Sequence, residues 1–270
     1  MQSFLCAACG TQFPSTPTAP THCPICMDER QFVPQGGQRW VTMQDLRRHC
    51  YNEIVRLDDG LHTVSTRPHF AIGQQAHIIQ TAEGNVLWDC IAMLDQETVS
   101  GVWALGGLAA IAISHPHYYT SMIEWSRAFG GIPIYLHALD REWVQYPDSA
   151  IEYWGGESKA LPGGLTLVHC GGHFAGGTVL HWPNGAGRRG ALLTGDVLQV
   201  CPDRNSFGFM YSYPNYIPLT PQTVIDIATA VHGYEFDAAY GALGNSIESG
   251  AKHAVTRSAE RYLRAIGYIP

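Results

Sequence analysis

The stretch Ser114-His115-Pro116-His117-Tyr118-Tyr119-Thr120 constrains this chain more than any other. It follows an apolar, β-branched run, Ala109 to Ile113, and leads into a segment of helical character, Ser121 to Phe129. Two histidines two residues apart at a strand end project to the same side. One strand-to-helix corner therefore aims both imidazoles at a common point, which suits a metal ion. The alternative is a plain turn with both rings hydrogen-bonded to backbone, so the choice rests on what lies downstream.

Two further pieces lie there. Leu165-Thr166-Leu167-Val168-His169-Cys170-Gly171-Gly172-His173-Phe174 reads as a strand ending in a Gly-rich corner, followed by a second strand from Val179 to Trp182. Ala191-Leu192-Leu193-Thr194-Gly195-Asp196 reads as another apolar strand ending in a carboxylate. Strand ends that deliver His, His, His and Asp in this order suit a metal site at one edge of a β-sandwich.

In these motifs the chain resembles the metallo-β-lactamase superfamily, over about residues 50 to 265. The family pattern is an HxHxDH turn, a later Gly-His histidine, a Gly-Asp after an apolar strand, and a last histidine near the C-terminus. The resemblance implies that His115, His117 and His173 are metal ligands, that Asp196 is the bridging aspartate, and that Asp89 is the early strand-end aspartate. It also implies the fold: an α/β, four-layer αβ/βα sandwich. The chain departs from the pattern where Tyr119 and Thr120 replace the Asp-His pair, and where no histidine occurs near Ala239-Tyr240-Gly241-Ala242-Leu243-Gly244. Those missing residues would hold a second ion, and tyrosine and threonine are poor zinc ligands. One intact metal position is expected, not a two-metal centre.

A second metal signal precedes the main domain. Cys6-Ala7-Ala8-Cys9 and Cys23-Pro24-Ile25-Cys26 are two Cys-x-x-Cys pairs joined by a Pro/Thr-rich loop, the pattern of a tetrathiolate site. Some forty residues cannot build an adequate core, so a metal would supply folding energy. Zinc is expected here as a structural ion, with iron as the alternative because the knuckles also resemble those of rubredoxin. The division is a four-cysteine zinc ribbon over residues 1–38 and a metallo-β-lactamase-like domain over 39–270. Arg30 is the only basic residue of the ribbon up to Phe32, which argues against nucleic-acid binding by that unit. The ribbon is expected either to cover an edge of the main domain or to join two copies in a homodimer.

Composition narrows the class. A hydrophobic fraction of 46% against 14% charged residues indicates a large core. A formal net charge of −7 disfavours nucleic acid, which needs basic surface to displace counterions. No apolar run is long enough for a membrane span. Met1-Gln2-Ser3-Phe4-Leu5 is not a basic stretch followed by an apolar one, so no secretory signal is expected, and the eight cysteines read as reduced or metal-bound in a cytoplasmic setting.

Along the chain, Thr42 is the N-cap of a helix through about Asn52. Glu53 to Leu57, Leu61 to Ser65, Gln75 to Thr81 and Val86 to Asp89 are strands. His62, His69 and His77, without partner spacing, read as surface or satisfied polar groups. A helix spans about Gln96 to Gly106. Ile132 to His137 is a further buried strand, completing a βαβ unit. His137 either faces the metal pocket or caps the helix starting near Asp140. The aromatic stretches Tyr146 to Gly164 and Phe207 to Tyr216 either wall a pocket or pack on the core. Pro221 to Tyr234 and Lys252 to Ile266 are amphipathic helices, the second with Ala254, Ala259, Leu263 and Ile266 inward.

Three imidazoles and a carboxylate can hold one zinc or iron ion. Asp196 either ligates it or accepts a proton from water. Tyr119 either donates a hydrogen bond to a substrate oxyanion or fills space, and Tyr118 lies beside it. Three functions fit: a mononuclear hydrolase of a small ester, thioester or lactone; a mononuclear iron oxygenase, since persulfide dioxygenases of the same superfamily use one iron; or a binding module without turnover.

Overall fold

The computed structural model describes residues 1–270. Two sheets face each other with helices on both outer sides, which is the expected four-layer sandwich. The first sheet has seven strands in chain order: Tyr51–Asp58, Leu61–Arg67, Gln75–Ile79, Val86–Trp88, Ala110–Ala112, Ile134–His137 and Ile151–Trp154. Its first four strands are antiparallel neighbours and the last three join in parallel. The second sheet runs Ser158–Ala160, Thr166–His169, Thr178–Trp182, Ala191–Leu193, Ala238–Tyr240 and Ser246–Ile247, with one parallel pair, Ala191–Leu193 beside Ala238–Tyr240.

Why these strands read as continuous apolar runs is clear from their two faces. Val86 and Trp88 point to the second sheet and pack with Leu167, Leu180 and Leu193, while Leu87 points outward among Ile78, Ile111 and Trp125. A strand covered on both faces has no solvent side to mark with polar residues. The outer layer on the second sheet is formed by the helices Pro221–His232 and Ala251–Ala265, which bury Val224, Ile227, Ala254, Val255 and Ala259. Ile266 lies beyond the last helical turn and is 45% exposed, unlike the inward position its spacing suggested. No helix is long and apolar enough to cross a membrane.

Local chemistry sets the other boundaries. Thr42 caps the helix Met43–His49 through a reciprocal box, its hydroxyl accepting from the Asp45 amide while Asp45 accepts from the Thr42 amide. That helix ends three residues short of Asn52. Tyr51 already starts the first strand, and the Asn52 side chain donates to the carbonyl of Met93. Ile151–Trp154, within an aromatic, turn-rich stretch, is the edge strand of the first sheet because Ile134–His137 offers it a parallel partner. In the N-terminal unit, Leu5–Cys6 pairs with Trp40–Val41, so its small sheet closes beyond the Gln35–Gln38 linker.

His77 departs from the sequence reading. It is 3% exposed, and its Nδ1 has no hydrogen-bond partner. Burial lowers its pKa to about 4, below the usual imidazole value near 6.5. Between those two pH values the unfolded chain binds the proton and the folded chain does not, so stability falls as pH drops through this window. The His77→Leu variant should lose roughly 2 kcal/mol less than the wild type between pH 7 and pH 5, read from urea midpoints at the two pH values.

Candidate metal centre

Three strand ends meet at one edge of the sandwich. Ala110–Ala112 leads to His115 and His117, the corner after Thr166–His169 carries His173, and Ala191–Leu193 leads to Asp196. One ligand atom from each of these four residues lies within 4.8 Å of the others. His115, His117 and His173 are 1%, 2% and 1% exposed, while the Asp196 side chain is 15% exposed and forms the open side of the cluster.

Two of the three rings, His115 and His173, are held so that a defined nitrogen points inward. The His115 Nδ1 lies 2.8 Å from the Ser114 hydroxyl, which donates to Asp89 at 2.7 Å, leaving His115 Nε2 for the cluster. Ser114 also donates its backbone amide to the same Asp89 oxygen at 2.7 Å. The His173 Nδ1 donates to the carbonyl of Tyr211 at 2.8 Å, leaving Nε2 to face the cluster. Thus Asp89, the strand-end aspartate of the resemblance, reaches the ion site through Ser114. Asp89 has φ 61°, a left-handed conformation that aspartate tolerates better than most residues. Gly195 is required for close approach: at φ +51°, an added Cβ would stand 2.6 Å from Ser114.

The cluster fits a cation. His117 Nδ1 and His173 Nε2 are 3.2 Å apart, and His115 Nε2 and Asp196 Oδ2 are 3.4 Å apart. Ligands about 2.05 Å from a tetrahedral zinc are about 3.3 to 3.4 Å from each other. His115 Nε2 and Asp196 Oδ1 are buried without a hydrogen-bond partner. Burial, with the neighbouring imidazoles, holds His117 well below the usual value and lowers His173 to about 4, so both rings are neutral donors near pH 7. Burial pushes Asp196 upward, but the adjacent His115 and His173 imidazoles outweigh it, and the carboxylate stays below its ordinary range.

The four-sulfur cluster fits one as well. Cys6 and Cys26 sulfurs are 3.5 Å apart, those of Cys9 and Cys23 are 3.6 Å apart, and all four are buried. Sulfurs about 2.3 Å from a tetrahedral ion stand about 3.8 Å apart. Burial holds Cys9 as a thiol, whereas hydrogen bonds from Cys23 and Cys26 favour thiolate at Cys6. Ionising all four thiols this close in a dry site requires a cation between them.

Other candidates lie elsewhere. The Tyr119 hydroxyl donates to the Asp140 carbonyl at 3.3 Å, and the acidic group that raises its pKa, after burial, is Asp140. Tyr118 is the residue beside the cluster: its ring stands 5.3 Å from that of His115, and its hydroxyl donates to the Ala242 carbonyl at 2.9 Å. His137 accepts from the Leu139 amide at 3.4 Å, the capping role, and stacks on His169 with centroids 4.1 Å apart. Sequence reasoning missed Ser114, Phe174 and Arg30. Ser114 and Phe174 each adjoin a candidate ligand, and Arg30 is a solitary cation among cysteines, so all three carried a signal.

Solved structures similar to the chain are metallo-β-lactamases. VMB-1 is similar with a TM-score of 0.61 and 15% identity over 80% of this chain and 98% of that one. A B3 metallo-β-lactamase with an active-site glutamic acid gives 0.57 and 17% over 84% and 95%. The mono-zinc form of FIM-1 from Pseudomonas aeruginosa gives 0.57 and 14% over 81% and 97%. The chain has the metallo-β-lactamase fold. No protein-family model matches it. The chain belongs to the same family as the uncharacterized protein YmaE of Bacillus subtilis (strain 168), with 45% identity over 268 residues, 98% of this chain and 97% of that protein.

Ser114→Ala removes the link between Asp89 and His115. It is expected to weaken zinc binding at the His/Asp cluster by 10- to 100-fold with the fold intact, measured by competition with a chromogenic chelator.

Proposed function

We propose that this chain is a mononuclear metallohydrolase acting on a small ester, thioester or lactone. The observation that carries this reading is the convergence of His115, His117, His173 and Asp196 on one point, at spacings that suit a zinc ion. A bound zinc would lower the pKa of a water molecule to about 7 and polarise a carbonyl oxygen. His115 and His173, with their outer nitrogens engaged by Ser114 and Tyr211, would hold the ion without reorienting. Asp196 presents Oδ2 to His115 and keeps Oδ1 unpartnered, in position to accept a proton from water.

Several features favour a single ion. Tyr119 and Thr120 stand where the family has Asp and His, and the loop at Ala242 carries no histidine. The Tyr118 phenol packs between His115 and the Ala242 carbonyl. The fold accommodates one ion, since FIM-1 has a mono-zinc form. Phe174 and Tyr118 cover the imidazoles with apolar surface, which strengthens electrostatic interactions within the site. Only the Asp196 side opens to solvent, which favours a compact substrate offering one reactive carbonyl. Phosphodiester cleavage is disfavoured because it benefits from two ions and a basic clamp.

The test is a panel of activated esters, thioesters and lactones with zinc-loaded full-length protein. Hydrolysis is expected for at least one class and should fall by at least about 10³-fold in His115→Ala. No turnover on any class with the cluster loaded would overturn the reading. Iron in anaerobically purified protein, with substrate-dependent oxygen uptake, would replace it with the oxygenase.

A further inference from the structure

The four-sulfur unit is not merely appended to the sandwich. The turn Pro24–Met27, which carries Cys26, passes directly into Asp28, and Asp28 grips Arg30 at both ends of its guanidinium. The Arg30 Nε donates to one carboxylate oxygen at 2.6 Å and Nη2 to the other at 2.9 Å, while the Arg30 backbone amide adds a third bond at 3.0 Å. Held this way, Arg30 is 8% exposed and reaches across to the His/Asp cluster. Its Nη1 donates to the His173 carbonyl at 3.3 Å, and its guanidinium sits 3.8 Å from the centroid of the Phe174 ring. Phe174 in turn contacts the rings of His115, His117 and His173.

Other bonds converge on the same ligands. The Gln74 side-chain amide donates to the carbonyls of both Cys9 and His117, at 2.8 and 3.1 Å. The Gln12 amide donates to the Thr120 carbonyl at 3.0 Å, and Thr120 holds φ 30°, an unfavourable conformation for a β-branched residue. Asn215 donates to the carbonyls of Glu29 and Gln31, tying the ribbon to the loop whose Tyr211 carbonyl orients His173. His173 is thus steadied by the ribbon on its carbonyl and, through that loop, on its ring.

We propose that Arg30 is a positioning residue that couples the two metal centres: an ion in the Cys6/Cys9/Cys23/Cys26 site seats Arg30 against His173 and Phe174, and only then does the His/Asp cluster bind its ion tightly. The ion orders the Cys23–Cys26 knuckle, the knuckle orders Asp28, and Asp28 pre-organises the guanidinium fork. A lysine would keep the charge but could not engage Asp28 with two parallel bonds while lying flat on Phe174. Because coupling between two binding sites is reciprocal, an ion in the His/Asp cluster tightens metal retention by the four sulfurs by the same factor. The proposal rests on the metal reading of the His/Asp cluster but not on any reaction there.

Metal-free, reduced full-length protein titrated anaerobically with Co²⁺ tests this. Thiolate-to-cobalt charge-transfer bands report the four-sulfur site, and weaker visible bands report the His/Asp site. In the wild type the charge-transfer bands are expected to saturate first, with the His/Asp bands developing only afterwards. Arg30→Met should leave the charge-transfer titration unchanged but weaken His/Asp binding by 10- to 100-fold, with Arg30→Lys recovering part of the loss. Equal His/Asp affinity in wild type and Arg30→Met, or independent filling of the two sites in the wild type, would overturn the coupling. If Arg30→Met does not fold, chelator competition on the wild type decides: the four sulfurs should retain Co²⁺ more tightly with the His/Asp cluster loaded than with it empty, and equal retention would overturn the coupling. Failure of the hydrolase reading is separate, since it appears as absent turnover in protein whose two sites both load.

Discussion

Everything at the functional edge of this molecule follows from placing three imidazoles and a carboxylate in a space closed to water on all but one side. Two imidazole nitrogens 3.2 Å apart, with His115 Nε2 and Asp196 Oδ1 buried without partners, form an arrangement that is favourable around a cation. The sandwich tolerates it because the strands leading to the site are buried on both faces and do not deform easily. Strand ends that cannot move deliver ligand atoms that need not move.

The same logic extends outward from the ligands. Asp89 acts through Ser114 on His115, and the Tyr211 carbonyl acts on His173, so each ring has one orientation and one nitrogen available. Gly195 lets the Asp196 turn close onto Ser114, a contact that any Cβ would obstruct. The four-cysteine N-terminal unit contributes Arg30, whose desolvated charge is matched by Asp28 and by the face of Phe174. The N-terminal unit and the sandwich therefore share a polar and aromatic seam at the site itself.

Much of the fold was legible because its strands are long apolar runs bounded by turn residues, as at Ala109 to Ile113 and Ala191 to Leu193. The four metal-ligand candidates were legible for a related reason, each lying within a few residues after such a run. Legibility failed where tertiary partners decide. Ile151–Trp154 lacks a distinct pattern and is a strand because a neighbour needs an edge partner. Asn52 left the helix for a sheet pairing. Of two adjacent tyrosines, Tyr118 turns toward His115 and Tyr119 toward Asp140, and residue type alone does not separate them.

By itself, the sequence determined which atoms are available for coordination and in what chain order: two Cys-x-x-Cys pairs, a His-Pro-His corner, a Gly-Gly-His corner and a Gly-Asp turn. Spacing within a few residues is a local property, and local geometry carries it faithfully. Only the tertiary structure decided that the two sets of ligands are neighbours. The contact of Arg30 with His173 joins residues 143 positions apart, and no local pattern encodes a guanidinium wedged between two metal sites. Packing chose that contact, because a buried cation must find its carboxylate, carbonyl and aromatic face together, and they meet where the N-terminal unit lies against the sandwich.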